Sequence, residues 1–411
     1  MPHPAQLVKS YASVAMILPM LLLVVCRCEA NKLWELALED EKEGKVVQVH
    51  VVHGSGHAWP PACYPGDPHA RAAVWKHGPG VLTQHGRQQG FHFGENLRSR
   101  YLNFLPKERT YKYVNALTAK TTRSRMTSSM VLAGLLPPKD DDVWTITWPP
   151  AVVNVDDILA NQHCDRLERL KKNVVYDTKS EELYLKVSSN TKKSVKTPLE
   201  MLDMYMCLDI QNQAGLPIPA WARALYSDMR REAAKGYQFD SEISRLEVGR
   251  ILDTITKFNE SEKGNNRINL YSVDNTIIGE ILAALRFNQA EPPNSLTALV
   301  VEIREQHKRY HAQLWYRVGP FDDLVRLSWP GCSTRCSLTK LRTLLDPLIP
   351  KDWSTECKQI RTASSTADIV IISLVLLAFV LVYIATASGN RIYHYVTEFI
   401  ARRKRSVKTE A

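Results

Sequence analysis

The stretch "IVIISLVLLAFVLVYIATA", residues 369–387, carries no charged side chain. As a helix rising about 1.5 Å per residue, it just crosses a hydrocarbon layer about 30 Å thick. Arg391, Arg402, Arg403, Lys404, Arg405 and Lys408 follow it, against only Glu398 and Glu410. The positive-inside rule then puts the tail in the cytosol and the long preceding segment in a lumen or outside the cell. Near the start, Lys9 precedes "AMILPMLLLVV" (15–25), and "CRCEA" follows, with small residues at Cys26, Cys28 and Ala30. A cation, a short apolar run and a small-residue end form a signal-peptide pattern. The expected plan is a type I membrane protein. It has a signal peptide over 1–30, an ectodomain over 31–367, a transmembrane helix over 368–387 and a cytoplasmic tail over 388–411.

The formal net charge of the 411 residues is +10, and the tail supplies a large share of it. No basic patch interleaved with aromatic residues accompanies the remainder, so the excess is not read as a nucleic-acid footprint. An exported domain can hold disulfides. Cys26 and Cys28 fall in the signal peptide, which leaves Cys63, Cys164, Cys207, Cys332, Cys336 and Cys357. Spacing singles out one pair: "PGCSTRC" sets Cys332 and Cys336 around a turn, close enough for a local bridge. Asn259 in "NES" is a glycosylation sequon.

Within the ectodomain, "VVQVHVV" (46–52) ends at His53-Gly54 and reads as a buried strand. "VLTQHGRQQGFHFGENLRSRYLNFL" (81–105) repeats its apolar residues at three or four and reads as a helix. "KYVNALTA" is a strand, and "SRMTSSMVLAGLL" a helix stopped by Pro137-Pro138. Strand, helix, strand, helix implies an α/β core with a mostly parallel sheet flanked by helices. Residues 156–259 are helical in pattern and form the expected cap. "INLYSV" (268–273) resumes the strands, and "LTALVVEI" and "HAQLWYRV" form an antiparallel pair.

The order of these pieces resembles the histidine acid phosphatase family, of the lysosomal and prostatic type. His53-Gly54 follows the first strand. "HGPGVLTQHGRQQGFHFGENLRSRY" (77–101), "LAGLLPP" (132–138), "YSVDNT" (271–276), "PGCSTRC" and "PLIPKDWSTEC" (347–357) match family segments in the same order. The resemblance implies an α/β core under a helical cap, with a homodimer as the family's frequent state. It also implies bridges Cys332–Cys336 and Cys164–Cys357. Cys207 matches a family cysteine whose usual partner is missing, which leaves either a Cys63–Cys207 bridge or two free thiols.

The family's reaction attacks a phosphomonoester with a histidine, without metal or other cofactor. A neutral imidazole must reach phosphorus while cations hold the non-bridging oxygens and an acid protonates the leaving oxygen. The family meets this with "RHGxRxP", a further arginine on the next strand, and a His-Asp pair. Here the nucleophile position is His53. The motif arginines are replaced by Val52 and Gly56, the next-strand arginine position is read as Leu117, and the His-Asp pair reads Asp274-Asn275. A charged hydrogen bond is worth roughly 1.5–3 kcal/mol, so losing three arginine sites removes on the order of 5–10 kcal/mol of transition-state stabilisation. That corresponds to several powers of ten in rate. Asp274 could serve as a displaced proton donor, and His57, Lys120, Arg123 and His77 are the nearby cations that could stand in for the arginines.

The expectation is therefore a membrane-anchored pseudophosphatase whose ectodomain binds or supports. The alternative is an active enzyme working through His53 in a rebuilt pocket on a phosphomonoester or another small ligand. "YHYV" fits a Tyr-x-x-apolar sorting signal at Tyr393 and Val396. It points to sorting adaptors as partners and to a lysosomal, endosomal or cell-surface location.

Overall fold

The computed structural model describes residues 42–60, 62–71, 75–105, 113–137, 154–155, 159, 163–175, 180–258, 268–287, 291–358 and 366–407. The expected signal peptide and Asn259 lie outside the described residues. The chain divides into two compact units, one ending at Cys357 and one beginning at Lys358.

The first unit is built on one sheet. Its elements run β1 (Lys45–His53), α1 (Gln84–Arg100), β2 (Val114–Thr118), α2 (Thr122–Leu135), β3 (Asn154–Val155), α3 (Asp165–Lys172), α4 (Glu181–Thr191), α5 (Pro198–Gln213), α6 (Ala220–Ala234) and α7 (Ser241–Thr256). They continue with β4 (Ile268–Ser272), α8 (Asn275–Ala284), β5 (Ala298–Gln306), β6 (Arg309–Arg317), β7 (Val325–Leu327), β8 (Cys336–Ser337), α9 (Leu338–Leu345) and α10 (Trp353–Cys357). The strand order is β3-β2-β4-β1-β5-β6-β7, with β8 also paired to β6.

The sheet is mixed, which corrects the expectation of a mostly parallel one. β3, β2, β4 and β1 are parallel, but β5 runs against β1, and β6, β7 and β8 continue antiparallel. The β5–β6 step follows from a local signal. β5 and β6 are joined only by His307 and Lys308, both with positive φ. A two-residue turn with φ above zero at both positions makes a hairpin, which must be antiparallel.

Apolar side chains on alternate positions of each strand bury both faces. Val49 and Val51 pack with Phe93 and Leu97 of α1 and with Val131 and Leu132 of α2. Val52 and Tyr271 face the other way, into a core with Val248 and Ile251 of α7 and Ile278 of α8. Helix α7, which lies inside the expected cap range, is thus part of the layer covering the sheet. A separate cluster joins α4, α5 and α6 to Cys63 and Tyr64 through Met201, Leu208 and Ala222. Thr197 and Glu200 form a reciprocal capping box at the start of α5, with Pro198 in the first turn, which fixes where that helix begins.

Three disulfides staple this unit: Cys63–Cys207, Cys164–Cys357 and Cys332–Cys336. The first settles the alternatives left open for Cys63 and Cys207. It ties the segment after β1 to α5 across a sequence separation of 144 residues. Closing so long a loop restricts the unfolded chain, so replacing both cysteines by alanine is expected to cost about 3 kcal/mol in urea unfolding. An unchanged midpoint would contradict this.

The second unit is the helix α11 (Thr366–Val407). Its described side chains include a run of exposed apolar residues from Leu374 to Ile384, about 16 Å of helix at 1.5 Å per residue. Among the described residues no helix is long and apolar enough to cross a membrane. The span expected at 369–387 falls partly on side chains outside them. Tyr393 and Val396 lie exposed on the same helix.

Candidate active site

Three parallel strands end together. His53 of β1 pairs with Ser272 of β4, and Ser272 pairs with Thr118 of β2. On the other side His53 pairs with Ala298 of β5. The carboxyl ends of parallel strands are where α/β proteins place their sites, so His53 is delivered to the expected spot.

The His53 side chain is fully buried. Its Nδ1 lies 3.0 Å from the Gly54 carbonyl oxygen. A carbonyl only accepts, so Nδ1 carries the proton and donates, and the neutral ring keeps its lone pair on Nε2. That Nε2 is buried and without a hydrogen-bond partner. The ring meets the edge of Phe93 at 5.9 Å between centroids. Burial pushes its pKa down to about 4, against a smaller upward pull from the Gly54 carbonyl.

The positions expected to have lost arginine are now visible in place. Val52 and Leu117 both lie level with Tyr271, one residue before the strand ends. Strand side chains alternate, so both point away from the face of His53, and both join the apolar core with α7 and α8. Gly56 is packed against the first turn of α1. A Cβ added there would meet the Gly86 carbonyl oxygen at 2.6 Å, and one added at Gly86 would meet the His57 carbonyl oxygen at 2.0 Å. Gly54 is covered in the same way by the Asn275 side chain, whose Oδ1 would lie 1.8 Å from such a Cβ.

A guanidinium does reach the site, from a residue outside the expected motif. Arg123 sits in the first turn of α2, which Thr121 caps by accepting from the Ser124 amide. Its Nε donates to Asp274 Oδ1 at 2.8 Å, and the Thr121 and Ser124 hydroxyls approach the same oxygen at 3.5 Å. The Asp274 side chain is one-fifth exposed. The two residues that sequence reading treated separately, a stand-in cation and a displaced acid, are therefore partners in one ion pair. The readable signal was Thr121 itself. An N-cap directly after a parallel strand aims the next turn back at the strand ends.

The other stand-ins are placed differently. His57 is buried, with Nε2 donating to the Ile210 carbonyl at 2.9 Å and Nδ1 2.9 Å from the Thr83 hydroxyl. Burial lowers its pKa, which opposes a cationic role, although the Ile210 carbonyl pulls the other way. Lys120 and His77 are exposed. Arg317 is a buried guanidinium over Phe93, 4.5 Å from the ring centroid, held by the Asp322 and Pro320 carbonyls. Its pKa is pushed down to about 10 by burial. Among the described residues no guanidinium is hydrogen-bonded to His53.

Beside Asn275 opens a cavity of about 620 Å³ lined by Tyr205, Asp209, Tyr226, Arg230, Glu291 and Tyr316 among others. Its charged groups are already engaged. Arg230 pairs with Glu291 at 2.9 Å, and Asp209 accepts from Tyr226 and Gln213. The lining is aromatic and holds two carboxylates, Asp209 and Glu291, to one guanidinium, Arg230, the reverse of the open cationic cradle a phosphate dianion needs.

Asp274→Asn is expected to release Arg123. Inorganic phosphate affinity, read by calorimetric titration, should rise about tenfold or more, the scale of one charged hydrogen bond. Unchanged affinity would mean that Arg123 does not face an anion position.

Comparison with known proteins places these observations. The model of the histidine phosphatase superfamily (branch 2) matches residues 30–212. Prostatic acid phosphatase of Rattus norvegicus is 26% identical over 360 residues, covering 79% of this chain and 92% of that protein. Lysosomal acid phosphatase of Bos taurus is 26% identical over 357 residues, covering 79% and 83%. Among solved structures, the phytase of Citrobacter braakii superposes with a TM-score of 0.55 at 15% identity, covering 77% of this chain and 100% of that one. At that identity the likeness concerns the fold.

Proposed function

Because the chain belongs to the histidine acid phosphatase family, we propose that it is a membrane-anchored acid phosphatase-like protein impaired in phosphoryl transfer, whose ectodomain serves binding or structure. The observation that carries this reading is the Arg123–Asp274 pair. At the strand ends Arg123 is held by a carboxylate of the protein itself, and Arg317, level with His53 through Ala298, lies over Phe93 and is held by the Asp322 and Pro320 carbonyls. An incoming phosphate dianion must displace that carboxylate and then meet its repulsion. Val52, Gly56 and Leu117 offer no replacement, and Gly56 has no space for one.

Anchoring is supported by the uncharged stretch at 369–387 and by the exposed apolar side chains of α11. With the basic residues that follow, it gives type I topology with the first unit in a lumen or outside the cell. A lysosomal or endosomal location, or the cell surface, fits the Tyr393–Val396 signal. Sorting adaptors would then be partners of the tail, and a homodimer is the family's frequent assembly.

One observation favours a second reading, an active acid phosphatase forming a phosphohistidine at His53 with Asp274 as proton donor. The ring has the tautomer a nucleophile requires, with Nδ1–H fixed on Gly54 and Nε2 unengaged. Hydrolysis of p-nitrophenyl phosphate by the full-length protein at pH 4–7, beside His53→Ala, separates the two. Equal background rates support the impaired reading; a rate that His53→Ala abolishes overturns it in favour of the second.

A further inference from the structure

A second cavity, of about 790 Å³, is bounded by His57, Trp59, Trp75, Lys76, His85 and Arg87, and His53 does not line it. Its walls are held by backbone pairing. Trp59 donates to the Val81 carbonyl, Gly80 to the Trp59 carbonyl and Thr83 to the His57 carbonyl, and Ala58 bridges Leu82. Trp59 and Trp75 stack nearly parallel, 6.3 Å between centroids, with the His57 ring against Trp75 at 5.9 Å. The cavity opens at the start of α1, the positive end of a 17-residue helix capped by Thr83.

The electrostatics are one-sided. Lys76 and Arg87 line the cavity, and no aspartate or glutamate does among the described residues. The Arg87 Nε is buried and without a hydrogen-bond partner. The carboxylate acting on His57 through space is Asp209, already held by Tyr226 and Gln213. Gln84, Gln88 and Gln213 add amide groups to the lining. Cations suit an acid group, side-chain amides suit hydroxyls, and indole walls suit the flat C–H face of a pyranose.

We propose that this cavity binds an anionic sugar, a pyranose ring carrying sulfate or carboxylate. The site is separate from His53 and does not depend on whether that residue is catalytic. The two indoles give the readout. Titrating the full-length protein with a sulfated disaccharide should change tryptophan fluorescence saturably. The unsulfated disaccharide and inorganic sulfate should each bind at least tenfold more weakly, because each lacks one half of the recognition. A carboxylated disaccharide should fall within tenfold of the sulfated one. Lys76→Gln combined with Arg87→Gln should weaken binding at least tenfold, and Trp59→Phe should remove most of the signal. Thermal melts of both variants establish that they fold. Equal affinity for the sulfated and unsulfated sugars, or full binding by the folded double variant, overturns the proposal. So does saturable binding of adenosine monophosphate with the sulfated disaccharide inert.

Discussion

Restoring arginine at position 56 is expected to destabilise the protein by about 3 kcal/mol or more without creating a phosphate site. The loop leaving β1 lies directly on the first turn of α1. There the Gly56 position has the Gly86 carbonyl 2.6 Å from where a Cβ would sit. The obstacle is backbone, so a rotamer change cannot relieve it. The Gly56 amide is also committed, donating to the Thr127 hydroxyl at 3.1 Å, and the neighbouring His57 amide donates to the Gln89 side chain at 2.9 Å. Accommodating any side chain means separating the loop from α1 and breaking those bonds. Gly56→Ala should already show most of the loss in urea unfolding, and Gly56→Arg should have no more phosphatase activity than the parent. A stable Gly56→Arg protein with new activity would mean that the loop can move away from α1.

The second large effect is on stability against pH. His50 and His53 are both buried, and burial pushes each pKa down to about 4, against about 6.5 in an unfolded chain. A depressed folded pKa gives stability that is present above the unfolded value and lost as pH falls toward the folded one. Each histidine should therefore cost about 3 kcal/mol between pH 6.5 and 4. Glu280 acts on the opposite limb. It is buried between α3, α7 and α8, with Lys171 bonded to both Glu280 and Glu247. Burial and the Glu247 charge raise its pKa to about 8. A raised folded pKa gives stability that is full below the unfolded carboxylate range and lost as pH rises through the folded value. Stability should then peak between these limbs, near neutrality or slightly below. Urea midpoints across pH 4–9 test this. His53→Gln and His50→Gln should each flatten the acid limb, and Glu280→Gln the alkaline one. A wild-type profile that rises steadily toward pH 4 would contradict the neutral, buried state of both histidines.

Local signals in the sequence carried far. Valine-rich "VVQVHVV" gave β1, and the strand-helix alternation through Leu135 gave α1, β2 and α2. The "LTALVVEI"/"HAQLWYRV" pair gave the central antiparallel hairpin. The mixed character of the sheet was harder to read, because β7 and β8 are too short for a periodic pattern. Helix α7 was read as cap because it follows cap helices in the chain. Its apolar residues Val248, Ile251 and Ile255 show periodicity, and periodicity says only that a face is buried, without naming the partner.

At the site, His53 was found by position, but its neighbourhood was not. Position 117 lies inside a strand, where alternation turns its side chain from His53. Arg123 looked like one more charge in "TAKTTRSR". The Thr121 cap was the signal in that stretch, and the fold adds the partner, Asp274, toward which Arg123 turns. The closeness of Gly56 to Gly86 was also hidden, since the two are thirty residues apart and meet backbone to backbone.

The most direct measurement is whether His53 accepts a phosphoryl group. The full-length protein is mixed with a radiolabelled phosphomonoester at pH 5, quenched in alkali within milliseconds, and examined for an acid-labile, alkali-stable phosphohistidine. No label above the His53→Ala background is expected, because Arg123 is bound to Asp274 and Arg317 is held over Phe93 by the Asp322 and Pro320 carbonyls. Stoichiometric label on His53 would contradict the account and identify a working phosphatase.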